Sequence, residues 1–161
     1  MIPPNAPTIE IRPARPAEAE QLTRVAFASK RHWRYSEALM TLWAASLTVT
    51  PQRIEQDLVY VATLADRIVG FYALIPTERP EVYELDDLWV LPESIGHGIG
   101  KRLFQHAIST VLEEGGAVLR LVAEPHAIGF YQKMGMTKIG ERASKPAGRV
   151  LDVMALNLTR A

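Results

Sequence analysis

The segment from residue 82 to residue 114 constrains the fold of this chain more than any other. Residues 82–91 are mostly aliphatic and aromatic and stop at a proline, which predicts a long strand. Residues 98–114 repeat apolar side chains at one helical period and stop at two glycines, which predicts an amphipathic helix. Three alternating glycines, Gly96, Gly98 and Gly100, join the two. Glycine lets backbone N–H groups approach a phosphate, and the helix start adds unpaired donors, so this turn predicts an anion site.

Two interpretations of the glycine turn stay open at this stage. The turn either permits tight packing or binds a phosphate. Each glycine in or near a helix lowers helix stability by up to about 1 kcal/mol relative to alanine, and a ligand-binding role would compensate for this loss, so the second interpretation is favoured. A dinucleotide fingerprint requires a further glycine three residues after a G-x-G pair, where Lys101 and Leu103 stand. A P-loop requires glycine five residues before Gly100 and Ser or Thr after the lysine, where Ile95 and Arg102 stand. The sequence therefore excludes both of these phosphate motifs.

Shorter patterns on either side alternate between strands and helices. The predicted strands are 8–12, 59–64, 68–75, 118–122, 137–141 and 150–158, and the predicted helices are 16–28, 36–47 and 126–134. The second and third of these strands form a hairpin around Asp66. No repeat or linker interrupts this order, and the length suits one domain over residues 1–161.

Charge and composition exclude several classes of function. Lys plus Arg and Asp plus Glu both number 18, so no global positive field favours nucleic acid or an anionic membrane as a partner. The chain has no cysteine, which excludes disulfides and thiolate chemistry. Met1–Asn5 lacks the pattern of a signal peptide, and no apolar run approaches about 18 residues. The default expectation is a cytoplasmic protein.

The histidines give no sign of a metal site. They stand at positions 32, 97, 106 and 126, without the close pairing of zinc ligands. None falls into a Ser-His-Asp order that would indicate a triad hydrolase. We therefore expect neither a metal enzyme nor a triad hydrolase.

Two blocks of the sequence resemble the GNAT superfamily of N-acetyltransferases. The glycine turn is similar to the family's cofactor motif Q/R-x-x-G-x-G/A, with Gly98 and Gly100 as its glycines. Residues 127–136, AIGFYQKMGM, resemble the family's A-x-x-x-Y-x-x-x-G-F signature. Two positions depart from the pattern: Ile95 replaces the usual Gln or Arg, and Glu124 stands where many members carry Asn.

The resemblance implies a fold and a cofactor. The fold is α+β (α/β), with a mixed, mostly antiparallel central sheet of 6–7 strands flanked by about four helices. The cofactor is acetyl-CoA (coenzyme A) as acyl donor, without a metal. Main-chain groups of Leu88, Trp89 and Val90 would run alongside the pantetheine arm. The pyrophosphate would lie on the glycine loop, whose expected binding residues are Ile95, Gly96, His97, Gly98, Ile99, Gly100 and Lys101.

A base is expected, because a lysine-like amine with a pKa near 10.4 is almost fully protonated at neutral pH. The resemblance makes Glu84 the first candidate. Strict strand alternation puts Asp86 on the same face as Glu84 and Asp87 on the opposite face. The alternative is that these acids pair with surface Arg or Lys, and bulk water would then serve as the base.

Tyr131 is, by the same resemblance, the tyrosine that would protonate the departing thiolate. A phenol suits that role only when geometry helps, because its pKa lies near 10. The alternative is an aromatic side chain packed on the last helix. Four isolated basic or histidine residues near the motifs could contact the cofactor, but each alone is more typical of a solvated surface. They are His97, Lys101, His126 and Lys133.

The resemblance implies a small-molecule or peptide amine as the acceptor, and the sequence does not identify which. A set of aromatic and basic residues would either line an acceptor pocket or cover the core. These residues are His32, Trp33, Tyr35, Trp43 and Arg149. A non-catalytic acyl-CoA sensor or interaction module on the same fold stays open as the alternative function. The family habit also leaves open a homodimer formed through the last strands.

Overall fold

A single twisted sheet carries every strand of the described chain. The computed structural model describes residues 7–158, so the prediction for Met1–Asn5 lies outside the described residues. The strands are β1 (Ile9–Pro13), β2 (Leu58–Leu64), β3 (Arg67–Pro76), β4 (Val82–Val90), β5 (Val118–Val122), β6 (Thr137–Ala143) and β7 (Val150–Asn157). Their order in the sheet is β1-β2-β3-β4-β5-β7-β6. The β4–β5 pair is parallel and all the others are antiparallel.

Helices cover both faces of this sheet. They are α1 (Ala19–Arg31), α2 (Glu37–Leu47), α3 (Pro51–Gln56), α4 (Ile99–Glu113) and α5 (Ile128–Lys133). Helices α4 and α5 pack on one face with Tyr72 and Leu74, and α1 to α3 pack on the other with Phe71 and Ala73. β3 is therefore buried on both faces, which explains its continuous apolar sequence. The expected α+β class and mostly antiparallel sheet are confirmed.

The centre of the sheet opens where β4 and β5 separate. The two strands pair only between residues 82–84 and 118–120, although β4 continues to Val90. Beyond Glu84, the β5-facing edge of β4 therefore has no neighbouring strand in the described part of the chain. An unpaired strand edge presents backbone N–H and C=O groups to any ligand that lies beside it.

A β-bulge interrupts β4 just before this opening. Ala73 of β3 lies opposite Asp87 and Leu74 lies opposite Leu85, which leaves Asp86 as the extra residue. Leu85 joins the core under α4, whereas Asp87 lies opposite a residue of the other core. The prediction that Asp86 and Asp87 point to opposite faces is wrong, because the bulge shifts the alternation by one residue.

Helix α3 is the element that the sequence pattern did not predict. Thr50 caps it by accepting a hydrogen bond from the Arg53 amide at 3.1 Å, and Pro51 occupies its first turn. A Thr-Pro pair is a recognised start signal, but six residues are too few to show a helical period. The missed helix matters because it carries Arg53, which contacts the acidic residues of β4.

Gly70 allows α4 to lie close against the middle of the sheet. A Cβ atom at this position would lie 2.8 Å from the Trp89 carbonyl oxygen and 3.1 Å from Leu103 Cδ1. We expect Gly70→Ala to lower the free energy of unfolding by about 1–3 kcal/mol, because backbone and core must both shift. Urea unfolding measures the loss. Gly140→Ala in β6 is the control, since a Cβ there meets nothing within 4 Å; equal midpoints for the two variants would contradict the packing argument.

Candidate functional site

A cavity of about 540 Å³ lies at the opening between β4 and β5. It reaches from the glycine turn to the segment that joins α1 and α2. Its lining residues are Ser29, Trp33, Leu85, Asp86, Asp87, Leu88, Trp89, Val90, Ser94, Ile95, Gly96, Gly98, Ile99, Gly100, Lys101, Val122, Glu124, His126, Ala127, Phe130, Tyr131 and Met134. One cavity thus contains all but two of the residues predicted for the site; His97 and Glu84 lie outside its lining.

The glycine turn shapes one end of the cavity. Gly96 has φ of +89° and Gly98, which caps α4, has φ of +78°. A Cβ at either position would meet nothing within 4 Å, so glycine is required there by backbone conformation rather than by crowding. The first intrahelical bond of α4 runs from the Arg102 amide to the Gly98 carbonyl. The amides of the first helical turn before Arg102 therefore have no acceptor within the helix.

The exposed edge of β4 forms the wall next to this turn. Leu88, Trp89 and Val90 pair with β3 on one side and line the cavity on the other. Within residues 7–158, their main-chain groups on the cavity side have no partner strand. Such an edge can pair with an extended ligand, and the expected path of a pantetheine arm along β4 stays a prediction.

Tyr131 projects into the cavity from α5. The residue is 8% exposed, and among residues 7–158 its hydroxyl has no hydrogen-bond partner. Burial raises the pKa of Tyr131, and the nearby charges of Asp87 and Glu124 raise it further. The side chain is therefore a neutral phenol at physiological pH, with its O–H available to a ligand.

Asp87 is the most deeply buried carboxylate of the site. Its Oδ1 accepts a hydrogen bond from Trp89 Nε1 at 2.8 Å, and its Oδ2 lies 2.6 Å from Arg53 Nη1. Burial raises the pKa of Asp87 to about 6, although Arg53 acts in the opposite direction. Arg53 also binds Asp86 and lies 3.3 Å from Asp57. A carboxylate with a pKa near 6 is well matched to accept a proton at neutral pH.

Glu84, the first candidate from the sequence, lies in a different place. It sits where β4 still pairs with β5, and its Oε1 accepts a hydrogen bond from Arg142 Nη1 at 3.0 Å. The alternative noted from the sequence, pairing with a surface arginine, therefore describes Glu84. The cavity is lined instead by Asp87, three residues further along the same strand.

Glu124 is a second carboxylate of the cavity and is half-buried; in the sequence it is notable only as a departure from the family pattern. It accepts hydrogen bonds from Lys30 Nζ at 2.5 Å and from Tyr35, and lies 3.0 Å from His126 Nδ1. Burial opposes ionisation, but these hydrogen bonds prevail and lower the pKa of Glu124. Glu124 therefore remains a carboxylate and connects the α1–α2 segment to the end of β5.

The remaining predicted residues divide between the cavity and the surface. Lys101 and His126 line the cavity, whereas Lys133 does not. Within residues 7–158 there is no cluster of three or more metal-ligating side chains. Over the same residues, no helix is long and apolar enough to cross a membrane.

Comparison with known proteins places the chain among acetyltransferases. A model described as the acetyltransferase (GNAT) family matches residues 19–136. The 5-NmdU N-acetyltransferase of Pseudomonas phage PaMx11 is 27% identical over 133 residues, which cover 83% of this chain and 90% of that protein.

Solved structures have the same fold. The PaiA N-acetyltransferase of Thermoplasma acidophilum, crystallised with coenzyme A, superposes with a TM-score of 0.74 at 23% identity, over 93% of this chain and 99% of its own. A GCN5-related N-acetyltransferase of Rhodopseudomonas palustris gives a TM-score of 0.75 at 22% identity, over 98% and 99% of the two chains.

Proposed function

The chain belongs to the acetyltransferase (GNAT) family of enzymes, and from that premise we propose that it transfers an acetyl group from acetyl-CoA to a primary amine. The proposal treats residues 1–161 as one catalytic domain. The phage relative is named as an N-acetyltransferase of 5-NmdU, which supports transfer to nitrogen. The observation that carries the proposal is the single cavity, in which an anion-binding turn, a free tyrosine hydroxyl and buried carboxylates lie together.

The residues present fit coenzyme A. The glycine turn leaves open space in front of unpaired amides at the start of α4, as a diphosphate requires. Lys101 adds a positive charge at the same end. The free edge of β4 offers main-chain groups to the amide-containing arm of the cofactor. Ile95 is 43% exposed and stands where the resembled family motif has Gln or Arg, so main-chain groups supply most of the contacts to the diphosphate.

When bound, acetyl-CoA supplies an activated thioester, so the protein needs no covalent nucleophile. Asp87 accepts the proton of the incoming ammonium, directly or through a water, because its raised pKa makes it a better base than Glu124. Glu124 stays charged and holds Lys30 and Tyr35 in place beside the cavity. The amine must lose its proton before it attacks, so this step sets the pH dependence of the reaction.

Tyr131 stabilises the departing sulfur. Its raised pKa makes full proton transfer to a thiolate unfavourable, so it acts as a hydrogen-bond donor rather than as a strong acid. This revises the protonating role implied by the resemblance. The hydroxyl is suited to the task because the described residues leave it unpaired within the cavity.

The direct test is thiol release from acetyl-CoA over a panel of primary amines, preceded by calorimetric titration with coenzyme A. The proposal expects binding of coenzyme A and amine-dependent release of thiol. Binding without release on any amine would favour the alternative of an acyl-CoA sensor. Absence of coenzyme A binding would contradict both functions.

Gly98→Ala tests the phosphate turn. Alanine at φ of +78° strains the backbone and displaces the first amides of α4, so we expect the Kd for coenzyme A to rise about tenfold. Gly115→Ala is the matched control, because Gly115 has φ of +85° and equally open surroundings but follows the opposite end of α4. Titration calorimetry on both variants separates lost binding from general strain; equal affinities would contradict the assignment.

A further inference from the structure

The side of the cavity formed by the α1–α2 segment holds features that specify the acceptor. We call this the acceptor side; its cavity-lining residues are Ser29, Trp33, Asp86, Asp87, Glu124 and His126. The inference below rests on the proposed function and concerns the chemical class of the amine.

The acceptor side is held together by a buried lysine. Lys30 is 7% exposed, and its Nζ lies 4.3 Å from the centre of the Trp43 ring and 2.5 Å from Glu124 Oε2. The Tyr35 ring packs perpendicular to the Trp43 ring, and the Tyr35 hydroxyl donates to the same carboxylate. These contacts join α1, α2 and the end of β5, so the walls of the acceptor side are in place before any ligand binds.

The negative charge of the acceptor side is concentrated at Asp86 and Asp87. Arg53 faces these two carboxylates and that of Asp57, so three carboxylates share one cation. Lys30 and Arg149 face the one carboxylate of Glu124, at 2.5 and 3.9 Å, so its charge is already matched. An ammonium is therefore attracted to Asp86 and Asp87 rather than to Glu124, and an acceptor with its own carboxylate adds a repulsive charge.

A flat aromatic pair forms the rest of the acceptor side. The rings of Trp33 and His126 lie 4.5 Å apart with an interplanar angle of 5°. Trp33 is 37% exposed and lines the cavity. It is followed by Arg34, whose φ of +61° is a strained conformation for a residue with a side chain. An exposed tryptophan held in place next to a strained turn points to a binding role.

We propose that the acceptor is an amine whose amino group is attached, through a short linker, to a planar ring. The ring lies against the Trp33–His126 pair, and the ammonium points towards Asp86 and Asp87. Arylmethylamines belong to this class. Amino acids do not, because Asp86 and Asp87 repel their carboxylate.

The test compares benzylamine with cyclohexylmethylamine, which carry an amino group on the same linker and differ in the flatness of the ring. Benzylamine is also the weaker base, so each kcat/KM is expressed for the neutral amine. On that scale we expect the value for benzylamine to be about tenfold higher, the size of one stacking contact. Glycine serves as a zwitterion probe and should be poorer than benzylamine. The readout is thiol release at saturating acetyl-CoA.

Trp33→Ala should remove the preference for benzylamine, whereas Trp33→Phe should keep part of it. Leu42→Ala is the matched control, because Leu42 is 44% exposed on the neighbouring helix and does not line the cavity. Unchanged affinity for coenzyme A shows that each variant is folded. If Trp33→Ala does not fold, the Phe variant and the amine pair on the unmodified protein carry the test.

The outcomes separate this inference from the proposed function. Equal kcat/KM values for the two matched amines in their neutral form, or a faster reaction with glycine, would overturn the inference and leave acetyl transfer standing. Coenzyme A binding with no turnover on any amine would overturn the proposed function, and the inference with it.

Discussion

Asp87→Asn is expected to lower kcat about a hundredfold while leaving the Kd for coenzyme A unchanged. The loss is the lower end of the range for removal of a general base. The unmodified enzyme should also lose kcat/KM as the pH falls through about 6, where burial places the pKa of Asp87, and the variant should lack this inflection. Initial rates of thiol release between pH 5 and 9 measure both effects.

Glu84→Gln is the matched control for this prediction. It removes a carboxylate from the same strand, but one that binds Arg142 and does not line the cavity. We expect its kcat and pH profile to equal those of the unmodified protein. A large loss at Glu84 together with a small one at Asp87 would restore the assignment suggested by the family resemblance.

The Asn variant is expected to remain folded at neutral pH. The pKa of Asp87 rises from the ordinary 3.8 to about 6 on folding, so its contribution to stability is lost as the pH rises between these values. Above pH 6 the buried charge therefore opposes folding, and a neutral Asn does not. Arg53 keeps Asp57 and Asp86 as partners. Urea unfolding at pH 7.5 checks this directly.

Tyr131→Phe is expected to lower kcat by about a hundredfold with little change in the Kd for coenzyme A. The variant removes only the hydroxyl, which has no partner within residues 7–158, so the packing of the ring is retained. Loss of one donor to a developing negative charge has effects of this size in other enzymes. Pre-steady-state thiol release measures the chemical step separately from product release.

Tyr83→Phe provides the comparison for Tyr131. Tyr83 is a partly buried tyrosine of β4 that packs on the core without lining the cavity. Its loss of a hydroxyl should leave kcat unchanged. If both variants keep full activity, the sulfur is stabilised by another group, and the role of Tyr131 is limited to packing.

Most elements of the fold follow from short-range patterns. The strand at Val118–Val122 and the cap of α2 by Ser36 lie at the predicted positions, and the other strands differ by one or two residues at their ends. Helix α3 was not predicted because it is shorter than two helical turns and shows no period. It is stabilised by its Thr50 cap and by the packing of Ile54 in the core.

The glycine turn and the family signature are local, because a positive φ, a helix start and an apolar period each depend on a few consecutive residues. These features were enough to predict the family and the position of the glycine turn at the start of α4. The proposed base and the acceptor side depend on residues far apart in the chain: Arg53 with Asp87, and Lys30 with Glu124. Simple alternation along β4 predicted the wrong face for Asp87, because pairing with β3 introduces a bulge.

The cavity exists because β4 and β5 separate after three paired residues. Strand pairing is a property of the whole sheet rather than of either strand, so only the tertiary structure decides where the two strands separate.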